Sequence, residues 1–167
     1  MHYRWNTISE TWNEETRKWD VIMAVTYDKI SYDEIEYGLR KIINDEFKNV
    51  YIAYKFKMLG TECIKINLES SSLVLQTAAL EEREYSVNIR YYHMADTNNE
   101  IVNKSVKGNV DKLRKHLLDN QVSSTYNWAE LQVQDIEYNV QDEENEENDR
   151  IHITDFGVSI IHHNGIS

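Results

Sequence analysis

The sequence predicts an α+β fold, with a mixed, mainly antiparallel sheet packed by two helices. Residues 82–93 alternate apolar and polar side chains, which is typical of a half-buried strand. Two other segments repeat their apolar residues at spacings of three and four, as amphipathic helices do. Residues 129–163 contain two alternating runs separated by polar residues, which predicts a long C-terminal β-hairpin.

The composition indicates one main domain. The chain has 167 residues, 41% of them hydrophobic, which is enough to bury a core. No apolar run approaches the ~18 residues that cross a membrane, and the first residues do not resemble a signal peptide. The single cysteine, Cys63, rules out an internal disulfide, and its place in an alternating strand favours packing over catalysis. We expect a protein made in a cytoplasm, with a domain at 28–167.

The net charge of -11 argues against a protein that wraps nucleic acid by neutralising phosphates, because that mode needs clustered Lys and Arg. Much of this charge is local. Six acids form what we call the acidic tip of the C-terminal hairpin: Asp142, Glu143, Glu144, Glu146, Glu147 and Asp149. Its composition is that of a solvated turn.

Residues 1–27 form a Trp-rich N-terminal extension with two interpretations. Trp5, Ile8, Trp12 and Trp19 fall near one face at helical spacing, which would give an amphipathic helix. Residues 19–27 instead have the composition of a strand, which favours a hairpin that places Trp12 opposite Trp19. We expect the hairpin.

The first helix is predicted to open at Ser31, where Ser31 and Glu34 have the spacing of a capping box. A strand should follow over residues 50–56. The helix carries one apolar stripe, which should pack on a sheet: Ile35, Leu39, Ile42, Ile43 and Phe47.

The two central strands are expected at 62–69 and 82–93, joined by a linker at 70–80. Its three serines, Ser70 to Ser72, lack the glycines and basic residues of a phosphate site, so they favour a turn at a strand end. The linker also holds four apolar residues, which suggests that another molecule covers it: Leu73, Val74, Leu75 and Leu80.

The second helix is predicted at 102–118, with Val102, Val106, Val110, Leu113 and Leu117 on its apolar face. Its other face is basic, with Lys104, Lys107, Lys112, Arg114 and Lys115. A solvated helix face and a contact for an acidic partner both remain open, and the acidic tip of another copy is one such partner.

The C-terminal hairpin changes its alternation halfway along each strand. A single register pairs Leu131 with Ile160 and Val133 with Val158. The same register pairs Tyr138 with Ile153 and Val140 with Ile151, which places the apolar face of the outer half on the other side of the sheet. Either a pair of bulges restores one face, or the outer half projects and packs on another molecule. In the second case five residues would face that molecule: Ile136, Tyr138, Val140, Ile151 and Ile153.

No catalytic or metal-binding motif stands out. His152, Asp155, His162 and His163 have side chains that bind zinc, but adjacent residues on a strand point to opposite faces. The acidic tip lacks the spacing and the glycine of a calcium loop. No serine–histidine–aspartate arrangement, phosphate loop or dinucleotide motif is present. We therefore expect neither an enzyme nor a cofactor.

The order of elements, together with the stretches Ile64-Lys-Ile-Asn-Leu-Glu-Ser-Ser-Ser and Arg83-Glu-Tyr-Ser-Val-Asn-Ile-Arg-Tyr-Tyr, resembles the tail-terminator or tail-completion proteins of tailed bacteriophages. The resemblance covers about residues 28–163 and does not include the Trp-rich extension. It implies an α+β subunit that forms a hexameric ring, caps the tail tube and joins it to the neck. It implies no active site.

We therefore expect a structural virion protein at the tail–neck junction, assembled in the host cytoplasm. Its partners would be its own copies, the tail tube protein and a neck or head-completion protein, with DNA only as passing cargo and no membrane. The expected subunit contacts include the outer half of the hairpin and three basic residues, Lys107, Lys112 and Lys115. The alternative is an acidic inhibitor or immunity-type module, which would stay monomeric until it met a basic partner.

Overall fold

A computed structural model describes residues 29–52, 61–95, 100–141 and 150–165. A π-helical segment, Lys29–Glu36, continues directly into helix α1, Tyr37–Asn44, and helix α2 spans Glu100–Asp119. The strands are β1 (Val50–Ile52), β2 (Glu62–Gln76), β3 (Leu80–Ala95), β4 (Trp128–Gln141) and β5 (Arg150–Gly165). The expected Trp hairpin and the acidic tip lie outside the described residues.

The strands form one sheet in the order β1-β2-β3-β5-β4. β1 runs parallel to β2, and every other neighbouring pair is antiparallel. The predicted α+β class, with a mixed and mainly antiparallel sheet, is confirmed, and β3 is the central strand. Neither helix in the described part of the chain is long and apolar enough to cross a membrane.

The core lies between the helices and one face of the sheet, which we call the inner face. The apolar stripe of the first helix packs into this core as predicted, with Ile42 partly buried, and the stripe of the second helix is buried from Val106 to Leu117. The side chain of Val102 lies outside what the structure describes. The Phe47 and Tyr91 rings meet in a T-shaped contact at a centroid distance of 6.5 Å, which joins the segment after α1 to β3. The sheet contributes Ile64, Ile66, Val87, Ile89, Phe156, Val158 and Ile160.

The predicted helix start at Ser31 is wrong, because the helical segment already includes Lys29. Glu34 therefore lies inside the helix, and its carboxylate is used for tertiary contacts. Its Oε2 lies 2.5 Å from His162 Nε2 and accepts a hydrogen bond of 3.1 Å from Asn127 Nδ2. Its backbone carbonyl accepts another, of 3.0 Å, from Trp128 Nε1. These bonds attach the first helical segment to β5 and to the start of β4.

The predicted linker at 70–80 is also wrong. β2 continues through the serines to Gln76, and β3 begins at Leu80. The tight turn between them is closed by Thr77, whose N–H donates to the Leu80 carbonyl at 2.8 Å. The pairing of β2 with β3 shifts register between Leu68 and Ser70 and again between Leu73 and Leu75. Each shift changes which residues share a face. The sequence of this strand therefore shows no continuous alternation of apolar and polar residues.

The predicted register of the C-terminal hairpin holds for its base and fails for its outer half. Leu131 pairs with Ile160 and Val133 with Val158, as expected, but Tyr138 pairs with Thr154 and Val140 with His152. The cause is a register shift in β4 between Val133 and Asp135. The extra residue returns Ile136 to the inner face, where it packs against the core.

The hairpin does not project from the sheet in the part that the structure describes. β5 pairs with β3 along its whole length, from Arg150 beside Ala95 to Gly165 beside Leu80. β4 then forms the outer strand on the other side of β5. A bulge therefore explains the change of alternation in β4, and the expectation of a projecting arm at 129–163 is not met there.

Candidate subunit interface

The five apolar residues expected at an interface do not form one patch. Tyr138 lies on the inner face and is 55% exposed, whereas Ile136 packs against the core. Ile151 and Ile153 lie on the opposite, outer face, because β5 keeps a regular alternation from Phe156 towards its start. Ile153 is only 6% exposed within the single subunit. The side chain of Val140 lies outside what the structure describes.

Tyr138 and Lys107, both predicted interface residues, are brought together at an open cavity of about 500 Å³ between α2 and the outer half of the hairpin. His152 also lines the cavity, and its Nε2 is buried without a hydrogen-bond partner among the described residues. The other lining residues are Asn103, Val106, Asn139, Ile153 and Thr154. The volume lies in the range of small-ligand sites, but the cavity is open on one side and its polar groups do not converge on one point.

The basic face of α2 is exposed as the sequence predicts, but its members differ in what they contact. Lys107 and Lys115 are exposed to solvent. Lys112 is paired within its own subunit, with Nζ 2.6 Å from Glu46 Oε2 and 5.3 Å from the centre of the Phe47 ring. The hydrogen bond from Lys112 lowers the pKa of the Glu46 carboxyl. Lys107 and Lys115 therefore remain the better candidates for contact with an acidic partner.

A partly buried polar network joins α2 to the sheet beside this cavity. The Tyr91 hydroxyl donates to Glu62 Oε2 at 2.9 Å and accepts a hydrogen bond of 3.1 Å from Asn109 Nδ2. His93 Nδ1 lies 3.4 Å from the same hydroxyl. Burial raises the pKa of Tyr91 and lowers that of His93, so it favours the neutral form of both groups. The arrangement orients α2 on β2 and β3, and sequence reasoning missed it because its members are far apart along the chain.

Three of the four residues weighed as metal ligands, Asp155, His162 and His163, each have a different partner. Asp155 makes a two-bond contact with the Arg90 guanidinium, at 2.6 Å from Nε and 3.0 Å from Nη2, which raises the pKa of Arg90. His162 lies against Glu34, and His163 Nε2 is 3.1 Å from Glu82 Oε2. Across the described ranges no three His, Cys, Asp or Glu side chains are arranged to hold a metal ion.

Among the described residues, the longest run of exposed apolar side chains lies on β2, within residues 70–76, which we call the exposed arm. Every residue of this stretch is solvent-exposed. Leu73 and Val74 are each 51% exposed and Leu75 is 48% exposed. The sequence had indicated these residues as surface in need of cover, although it placed them in a linker. Three consecutive apolar side chains at this exposure are unusual on a monomer that stays soluble by itself.

Comparison with known proteins bears on the fold through solved structures. Neither a protein-family model nor a curated protein matches the chain. Among solved structures, a chain from "Virion of native gene transfer agent (GTA) particle" superposes with a TM-score of 0.51 at 11% sequence identity. The match covers 83% of this chain and 91% of that one. This chain therefore shares the fold of a chain in a gene transfer agent virion.

Proposed function

We propose that the protein is a structural component of a phage-like virion, and that it forms a ring that ends the tail tube and connects it to the neck. The observation that carries the proposal is the shared fold with a gene transfer agent virion chain, because the match extends over most of both chains. A match to a common motif alone would cover only a small part of each chain. The order of helices and strands agrees with the resemblance to tail-terminator proteins found in the sequence.

The surface of the subunit supports self-association. The exposed arm offers Leu73, Val74 and Leu75, and each fully buried side chain of this type contributes roughly 1.5–3 kcal/mol. An isolated subunit would leave about half of each side chain in water. In a ring, the neighbouring subunit covers such a surface, so these side chains would be buried in the assembly.

The charged groups have a second part in the proposal. The acidic tip, 142–149, of one copy would approach Lys107 and Lys115 on α2 of the next. Exposed pairs are worth only about 0–1 kcal/mol each, so they would orient subunits rather than hold them together. Added salt should then slow assembly more than it weakens the finished ring.

The proposed partners are further copies of this chain, six in a ring, with the tail tube protein on one side and a neck or head-completion protein on the other. The protein would reside at the tail–neck junction after assembly in the host cytoplasm, and DNA would pass through the ring without being held. The net charge of -11 supports this last point, since a ring with a negative surface repels the DNA backbone.

Electron microscopy of the purified protein tests the proposal. We expect ring-shaped particles whose class averages show six-fold symmetry, and binding of these rings to the end of a purified tail tube. A protein that shows no rings and instead forms a one-to-one complex with a basic protein would contradict the proposal and favour the inhibitor.

A further inference from the structure

We propose that the exposed arm is a strand-addition site for a second copy of the chain, and that its edge pairs with the β4 edge of that copy. The inference rests on the proposed ring, and it names the contact by which the ring closes. Adding a strand to an open sheet edge satisfies backbone N–H and C=O groups that otherwise point into solvent.

Among the residues that the structure describes, those covering the outer edge of β2 lie only along its first part. β1 pairs with it at Ile64 to Ile66. Just beyond, the Leu68 N–H donates to Glu36 Oε1 at 3.1 Å, so a helix side chain satisfies the backbone there. Past Leu68, no hydrogen bond among the described residues joins this edge to another segment. The exposed arm begins where that cover ends.

The chemistry of the arm lacks the usual protection of an edge. Residues 70–77 hold no charged side chain, no proline and no glycine, in a chain in which 28% of residues are charged. Natural edge strands carry Lys, Pro or inward-pointing charges that prevent pairing with other chains. A short uncharged segment of this kind, with Leu73, Val74 and Leu75 at its centre, would aggregate if nothing covered it.

The direction of the three apolar side chains favours a partner that approaches the edge. Leu73 pairs with Arg83 and belongs to the inner face, whereas Leu75 pairs with Glu82 and belongs to the outer face. Val74 occupies the register shift between them. A partner lying on one face would leave the other face in water. A strand added along the edge, by contrast, contacts side chains on both faces.

Charge selects which edge of the second copy can pair. β4 is the outer strand on the other side of the sheet. It carries Glu130, Asp135 and Glu137, all solvent-exposed. Two β4 edges brought together would oppose these acids, which destabilises the pair. The arm has no charge to repel them, so arm-to-β4 pairing is compatible. This contact is head-to-tail, and head-to-tail contacts produce rings when the rotation closes.

The first test places a charge in the edge and measures the mass of the purified full chain by light scattering. Val74→Lys should reduce the assembly to single subunits while leaving the melting temperature of the subunit unchanged. The matched control is Val122→Lys, because Val122 is apolar and 71% exposed but lies outside the arm. This control should assemble like the unmodified protein.

The second test identifies the partner edge and does not depend on whether Val74→Lys folds. Val74→Cys and Gln132→Cys variants are mixed and treated with a short bismaleimide crosslinker. The native Cys63 is buried, and burial raises its pKa to about 11, so it should not react. We expect covalent dimers in the mixture and none with either variant alone.

The outcomes separate this inference from the proposed function. If the unmodified protein and Val74→Lys form the same ring, the ring proposal stands and the strand-addition site is wrong. Dimers from Val74→Cys alone would indicate arm-to-arm pairing and would also overturn it. A monomeric unmodified protein would instead contradict the ring itself, and the inference with it.

Discussion

His162 Nε2 lies 2.5 Å from Glu34 Oε2. This contact joins β5 to the π-helical segment Lys29–Glu36, which is far from β5 in the sequence. His162 is buried, so loss of the carboxylate would leave its ring nitrogen without that partner. We predict that Glu34→Ala lowers the free energy of unfolding by about 1–3 kcal/mol.

Urea denaturation at neutral pH measures this loss. Asp33→Ala is the matched control, because Asp33 is the neighbouring acid and is exposed, and it should change stability by no more than about 0.5 kcal/mol. Equal effects of the two substitutions would show that the Glu34 contact with His162 contributes nothing specific.

Tyr91 should make the stability of the subunit sensitive to alkaline pH. Burial raises its pKa above the ordinary value, so the folded state keeps the phenol proton to a higher pH than the unfolded state does. The stabilisation linked to this proton is complete below about pH 10 and is lost as the pH rises above it. Tyr91→Phe should therefore show a shallower fall in stability between pH 9 and pH 11 than the unmodified protein.

Thermal melting across that pH range provides the measurement. At neutral pH the same variant should lose about 1–2 kcal/mol, because Asn109 and Glu62 lose a buried partner. Tyr138→Phe serves as the control, since Tyr138 is exposed and its change should leave the pH profile as it was. An unchanged profile in Tyr91→Phe would mean that other groups cause the alkaline loss.

The two sides of the hairpin should respond differently to polar substitution. Ile153 is buried within the subunit, so Ile153→Ser should lower the free energy of unfolding by about 2–5 kcal/mol. Tyr138 is exposed beside Lys107, so Tyr138→Ser should spare the subunit and weaken only assembly. Melting temperature and light scattering, recorded on both variants, distinguish the effects. Early melting of Tyr138→Ser with intact assembly would remove Tyr138 from the interface.

Much of the fold can be predicted from this sequence, because apolar periodicity reports burial directly. The stripe from Ile35 to Phe47 and that from Val106 to Leu117 both face the core, and the strand at 82–93 is the centre of the sheet. In each of these segments the apolar residues recur at a constant spacing. That spacing therefore identifies both the type of element and its buried face.

The errors occur where a residue is inserted into the alternation. The register shift after Val133 reverses the parity of β4, and the two shifts near Ser70 and Val74 do the same in β2. A change of parity in sequence can mean either a bulge or a change of buried face, and only the position of the neighbouring strand decides between them. For β5, the uninterrupted pairing with β3 shows that the alternation is regular and that Ile151 and Ile153 lie on the outer face.

The polar contacts of the site could not be predicted for a different reason. Glu34 and His162 are distant in sequence, and so are Glu62, Tyr91 and Asn109. Their pairing depends on how the helices cross the sheet, which apolar spacing does not determine. Ser31 and Glu34 have the spacing of a capping box, so the sequence favoured a local role for Glu34. The same spacing is compatible with the tertiary contacts that Glu34 makes, and the sequence does not distinguish the two roles.

The mass of the purified 167-residue chain in solution tests the central claim most directly. A ring subunit should elute as one species whose mass, by light scattering, is a whole multiple of 19.8 kDa, with six copies expected. That mass should remain constant on dilution through the micromolar range, since the contacts close on themselves. A mass of 19.8 kDa at every concentration would contradict the account.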